Sequence, residues 1–184
     1  MLWKQKISSE SAKRDPLELI QSEHRHHLEL CDRVIALADQ QRLEAVAEGA
    51  EMLLGHFIEG LPRHAEDEEN DLLPKLKARC RPEDGIDGIL SEIEREHAVD
   101  TFLAHHVVLD LKVLASGGKL DQPMRLFNNL RAFAEAQRRH LAWENAVVLP
   151  LARRRLGPAD LEEMGHNMAA RRGLADPARG GDPR

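Results

Sequence analysis

The chain of 184 residues contains no tyrosine, four phenylalanines and two tryptophans. Sandwiches and barrels of β-strands draw heavily on aromatic and β-branched residues, so an all-β fold is not expected. Only two cysteines occur, Cys31 and Cys80, and they form neither a CxxC pair nor a disulfide framework. Reduced thiols in a cytoplasmic protein are the expectation. There is no excess of basic charge either: the net charge is −6, which argues against a general nucleic-acid binder. The arginine clusters at Arg138-Arg139, Arg153 to Arg155 and Arg171-Arg172 read as cations in the last turns of helices. No apolar run approaches the roughly 20 residues needed to cross a bilayer. The opening MLWKQKISSESAKRD lacks the apolar stretch of a signal peptide.

What the chain has in abundance is Ala, Leu, Glu and Arg, all strong helix formers. Its length suits one domain with a real core. Four long helical segments stand out. The first runs from Asp15, an N-cap before Pro16, to about Gln40. The second covers roughly Arg42 to Lys77, with a kink or local break expected at Pro62 and at Pro74. After a loop at RPEDGIDG (81–88), the third runs from about Ile89 to Leu114 and stops at Ser116-Gly117-Gly118. The fourth spans about Gln122 to Arg155, with a kink expected at Pro150. Short connections make an all-α, up-down-up-down four-helix bundle the expected architecture. A short extra helix, Pro158 to Arg171, should pack on its outside. The expected organisation is a polar segment at 1–14, the bundle at 15–155, and a C-terminal helix at 156–184 whose tail, from Gly173, is disordered.

One stretch occurs twice. RHAEDEENDLLP, Arg63 to Pro74, returns as RHLAWENAVVLP, Arg139 to Pro150. Both begin Arg-His, carry Glu four residues after the His, and end on Leu-Pro six residues after that Glu. A second echo precedes each: Glu23-His24 lies 40 residues before His64, and Glu96-His97 lies 43 residues before His140. Residues four apart share a helix face, so His64 with Glu68, and His140 with Glu144, each offer an imidazole and a carboxylate to one point. An isolated pair of this kind is an ordinary surface feature. The duplicated order is not: it gives one His on each of two helices and a His–Glu pair on each of the others, all able to face the middle of a bundle.

Four imidazoles and two carboxylates in a core would be costly without partners. Two divalent or trivalent cations would supply them. Mixed His–carboxylate sets with open positions favour iron, whereas zinc usually takes four ligands at one ion. The candidate ligands are His24, His64, Glu68, His97, His140 and Glu144, with each glutamate able to bridge.

This ordered pattern resembles the hemerythrin-like, or HHE cation-binding, proteins over roughly residues 15 to 155. The matching residues are His24, His64 with Glu68, His97, and His140 with Glu144. The resemblance implies a four-helix bundle around two Fe ions, a non-haem di-iron centre often bridged by oxo or hydroxo. Implied functions are binding or sensing O₂ or NO, and handling iron under oxidative or nitrosative stress. Two positions depart from the family's oxygen carriers. Thr101 stands where they have a further His, and Asn145 where they have an Asp. Reversible O₂ carriage is therefore not expected, and the sensor, stress or iron-handling branch gains. The extra N-terminal cysteine-bearing domain of the family's di-iron repair proteins is not in this chain, which counts against that role.

No separate acid, base or nucleophile stands out. Binding or sensing of a small diatomic ligand or peroxide is expected first, then an iron store or donor, then an enzyme consuming peroxide. Neither nucleic acid nor membrane is an expected partner, and the chain should be a monomer or homodimer. Near the site, His27 could face inward and Trp143 could wall the pocket, while Glu69 is ambiguous by one position. His105 and His106 lie some 12 Å along the helix from His97, too far to replace the imidazole absent at Thr101. His26, His56 and His166 read as surface residues, and Glu23 and Glu96 as solvated.

Overall fold

A computed structural model of the protein describes residues 15–174. The expected polar segment at 1–14 and the tail beyond 174 lie outside the described residues. Helix α1 spans Pro16–Asp39; Asp15 caps it by accepting a hydrogen bond from the Leu17 amide at 2.9 Å, and Pro16 opens it. Six short pieces then follow one another from Leu43 to Arg79. They are α2 (Leu43–Glu48), α3 (Ala50–Gly55), a π-helical turn (His56–Gly60), α4 (Leu61–Asp67), a second π turn (Glu68–Leu72) and α5 (Leu73–Arg79). A 3-10 turn at Pro82–Asp84 leads to α6 (Ile86–Ala115). Next come α7 (Pro123–Trp143), a third π turn (Glu144–Val148), α8 (Leu149–Arg155) and α9 (Pro158–Arg171). Among the described residues there is no strand.

The third segment begins three residues earlier than expected. Gly85 adopts the left-handed conformation at φ 63 that closes the loop, so the next residue can already be helical. Gly88, expected in the loop, lies within α6.

Helix α7 packs along both α1 and α6, while α2, α3 and α5 pack on α6. Helix α9 lies against α1 and α4. It is more than an outer decoration, because Met164 and Met168 are fully buried beneath it.

The apolar interior comes in two clusters. One gathers Leu17, Ile20, Leu72, Leu76, Ile93 and Leu151 with Met164 and Met168. The other gathers Val34, Leu53, Phe57, Leu111, Leu126 and Phe133. Each such side chain contributes about 1.5–3 kcal/mol on burial. On every long segment, the repeated His and Glu residues fall between the stretch feeding one cluster and the stretch feeding the other. The candidate site therefore sits as a polar layer between two apolar ends.

Candidate metal centre

The Leu-Pro that closes each repeated stretch has a local consequence. Each π turn ends immediately before a Leu-Pro pair: Leu61-Pro62, Leu73-Pro74 and Leu149-Pro150. In each, the leucine amide donates to the carbonyl five residues back, on His56, Glu68 and Glu144 respectively. Proline has no N–H and its ring crowds the carbonyl four residues earlier. Widening the preceding turn relieves both problems, which is why a π turn interrupts the α-helix ahead of each of these prolines. Two of the three widened turns begin at Glu68 and Glu144, so the frame shapes the backbone that presents those carboxylates.

The structure brings the six residues of the duplicated pattern together. Ligand atoms of His24, His64, Glu68 and Glu144 all lie within 4.8 Å of one another, and so do those of Glu68, His97, His140 and Glu144. Glu68 and Glu144 belong to both groups. Glu68 turns Oε1 toward the Nε2 atoms of His24 (3.6 Å) and His64 (3.4 Å), and Oε2 toward Nε2 of His97 (3.3 Å). Glu144 turns Oε2 toward His24 (3.4 Å) and Oε1 toward His140 (3.1 Å). All six are buried except His97, which is half-buried.

Every imidazole presents Nε2 inward and Nδ1 outward. The Nδ1 of His24 meets Asn145 Oδ1 at 2.9 Å, and that of His64 meets Glu23 Oε2 at 3.1 Å. The Nδ1 of His97 meets Glu69 Oε1 at 2.7 Å, and that of His140 meets Asp100 Oδ2 at 2.6 Å. With the ring N–H donating to these acceptors, each Nε2 keeps its lone pair for the centre.

Whether a cation fits is decided by the atoms left over. Nε2 of His24, His64 and His140 and both carboxylate oxygens of Glu68 and Glu144 are buried without a hydrogen-bond partner. So many buried acceptors in one place are costly unless something positive joins them. Protons can do so in part: burial opposes a charge on His64, yet Glu68 and Glu23 outweigh it and raise its pKa to about 9. His140 follows the same logic, with Asp100 and Glu144 overcoming burial to raise it to about 11. Imidazole nitrogens and carboxylate oxygens are suitable donors for iron or zinc, so the set fits a pair of such ions.

The surroundings correct several expectations. His56, read as a surface residue, is 1% exposed, and burial pushes its pKa down to about 3. His26 is half-buried and His166 exposed. His27 is buried and contacts the rings of His64 and His56 edge-on, with centroids 4.8 and 5.0 Å away. Its burial holds its pKa well below the usual value. Glu23, expected in solvent, is bonded to His64, and Glu96 is 7% exposed. Glu69 engages His97 through the ring's outer nitrogen. Trp143 packs against the first apolar cluster. Asp100 was not singled out by the sequence; its one signal is its place a helical turn after His97. A cavity of about 500 Å³ reaches His64, His97 and His140, with Thr101 and Asp100 on its wall. His105 also lines it, but His106 does not.

The repeat also runs further than its first reading. Arg79 and Arg155 each lie five residues after the proline, and Asp84 and Asp160 each five residues after that arginine. The pairs cross over: Arg79 donates to Asp160 (2.9 Å) and Arg155 to Asp84 (2.8 Å). Each aspartate also accepts from the amide three residues before it, on Gly157 and Arg81.

The family model described as the hemerythrin HHE cation binding domain matches residues 15–152. An uncharacterized protein of Haemophilus influenzae is 28% identical over 163 residues, covering 86% of this chain and 90% of that protein. No solved structure matches the chain.

Proposed function

Because the chain belongs to the hemerythrin HHE cation-binding family, we propose that it is a non-haem di-iron protein that binds or senses a small ligand, O₂, NO or peroxide. His24 and His64 would hold one iron and His97 and His140 the other, with Glu68 and Glu144 shared between them. The observation that carries this reading is the set of inward-facing nitrogens and carboxylate oxygens that no hydrogen bond satisfies. Two adjacent irons, when bound, supply open coordination positions and electrons to a small ligand. The chain's own residues do the rest. Asn145, Glu23, Glu69 and Asp100 fix the imidazole tautomers, and the apolar clusters on either side keep bulk water from the layer. The cavity beside Thr101 gives a ligand its approach.

The proposed architecture is an up-down-up-down bundle over residues 15–155. It is supported by the alternating order in which successive segments feed the two apolar clusters. No helix among the described residues is long and apolar enough to cross a membrane. A second reading, iron storage or donation, is favoured by one observation: the side chain of Glu69, on His97, is 54% exposed, a short route for an ion to leave.

The test is metal analysis of the purified protein with optical spectra before and after O₂, NO and azide. Two irons per chain and a spectrum altered by these ligands are expected. His64→Ala and His140→Ala should each fall below two irons per chain. Unchanged iron in both variants would sink the assignment. Rapid loss of all iron to a chelator with the helical content intact would favour the storage reading.

A further inference from the structure

Resting on that two-cation reading, we infer that the two metal positions are unequal, and that Arg172 widens the difference by engaging the carboxylate that backs His64. A carboxylate behind a ligating imidazole makes the ring a stronger donor, and outer partners of this kind typically alter metal affinity about 10–100-fold. The inner ligands of the two positions match, two imidazoles and the same two glutamates each. Their outer partners do not.

Behind His24 stands the neutral amide of Asn145. Behind His64 stands Glu23, and both its oxygens are engaged: Oε2 by His64 and Oε1 by the Arg172 guanidinium at 2.6 Å. Arg172 lies one residue beyond α9, outside the stretch the family model matches. Its side chain is 4% exposed, so its charge is poorly screened by water. It cannot swing away cheaply, because it also donates to Asp67 at 2.5 Å. Asp67 is fully buried and held as well by Arg171, which reaches on to Asp71. A fixed, buried cation therefore sits two contacts from Nδ1 of His64 and withdraws negative charge from Glu23.

The other position has no such counterweight. Asp100 backs His140, and its second oxygen, Oδ1, is buried without a hydrogen-bond partner. Glu69 backs His97. Among the described residues, neither Asp100 nor Glu69 pairs with an arginine or lysine; their ion-pair contacts are to the histidines. The His97–His140 position is thus the more electron-rich and takes a divalent cation first. Arg172 is a positioning residue, acting on the metal only through Glu23 and His64.

The experiment titrates the metal-free, full-length chain with Co²⁺ against a competing chelator and follows visible absorption. The wild type should bind two ions in steps at least about tenfold apart. His24→Ala should keep the tighter step and His97→Ala the weaker. Arg172→Gln should tighten the weaker step and bring it closer to the other, whereas Arg172→Lys, which keeps the charge, should leave their spacing unchanged. Glu23→Gln should weaken the weaker step further by roughly tenfold, and Asp100→Asn should weaken the tighter one. Two steps of equal affinity in the wild type would overturn the inference. So would loss of the tighter step in His24→Ala, or weakening of the same step by both Arg172 variants, which marks a purely structural role. If Arg172→Gln does not fold, Glu23→Gln and Asp100→Asn decide: no change in either step overturns the inference. Fewer than two Co²⁺ bound by the wild type would instead sink the two-cation reading itself.

Discussion

Residues 64–84 and 140–160 carry His, Glu, Leu-Pro, Arg and Asp at the same offsets, and the structure uses them in the same way. Each stretch widens into a π turn at its glutamate, and each fastens its end to the other through an arginine–aspartate pair. The residue after each glutamate backs a histidine from the opposite half: Glu69 serves His97 and Asn145 serves His24. There the likeness ends. One of these partners is a carboxylate and the other an amide. The remaining two histidines are backed from different positions, Glu23 immediately before His24 and Asp100 three residues after His97. The inner layer is duplicated and the outer layer has diverged. Residues that would touch a common pair of ions answer to the same demand, whereas each outer partner answers to the helix beside it.

The largest effect should come from breaking what the halves share. Glu68→Ala and Glu144→Ala each remove a carboxylate that lies in both ligand groups, so each should lose both metal ions, not one. Metal analysis checks this, and a variant that retains two ions would show the glutamates are not shared. The next test makes the halves unlike. Thr101→His adds an imidazole one turn after His97, on the cavity wall. It should change the optical spectrum and the response to azide while iron stays at two per chain; an unaltered spectrum counts against an open position there.

A smaller effect is expected from the backbone. Pro74→Ala and Pro150→Ala restore an amide that lets the π turn close to an ordinary helical turn. Either should lower metal affinity by roughly tenfold, about 1.4 kcal/mol. Equal losses in the two variants would show that the halves use the frame alike, and no loss in either would show the widening is incidental. The smallest concerns the crossed ion pairs. Arg155 and the Arg81 amide hold Asp84 down to about 2. A lowered carboxyl stabilises the fold fully above its ordinary value near 3.8, and that contribution is lost as pH falls through about 2. Asp84→Asn should therefore flatten acid unfolding between those values, and Asp160→Asn should act in the same direction, because Arg79 lowers that carboxyl too. Acid midpoints followed by helical signal would check both; an unshifted profile removes the pairs from the account.

Much of the inner layer was legible because it is periodic. Two copies of His-x-x-x-Glu, each with a His about forty residues upstream, can be read without knowing any contact. Outer partners carry no such signature. Glu23 reads as solvated because adjacent helix residues point about 100° apart, yet that direction faces His64 on the neighbouring segment. Asp100 acts across α6 and α7 in the same way. His56 lies three residues after the buried Leu53, and that spacing is the sign in the sequence that it faces the core. The prolines were legible as interruptions, but their outcome was not, since a kink and a widened turn both accommodate the absent N–H.

The span of the contact between His24 and Asn145, 121 residues, bears on how the protein is made. Synthesis proceeds at about 5–20 residues per second, so roughly 6 to 24 seconds pass between translation of His24 and of Glu144. Throughout that interval, both ligand groups lack the shared carboxylate of Glu144. Neither ligand group is complete before the last long segment leaves the ribosome. Completion of the two ligand groups is thereby deferred until translation is nearly finished, and a nascent chain that stalls earlier carries histidines and glutamates without their later partners.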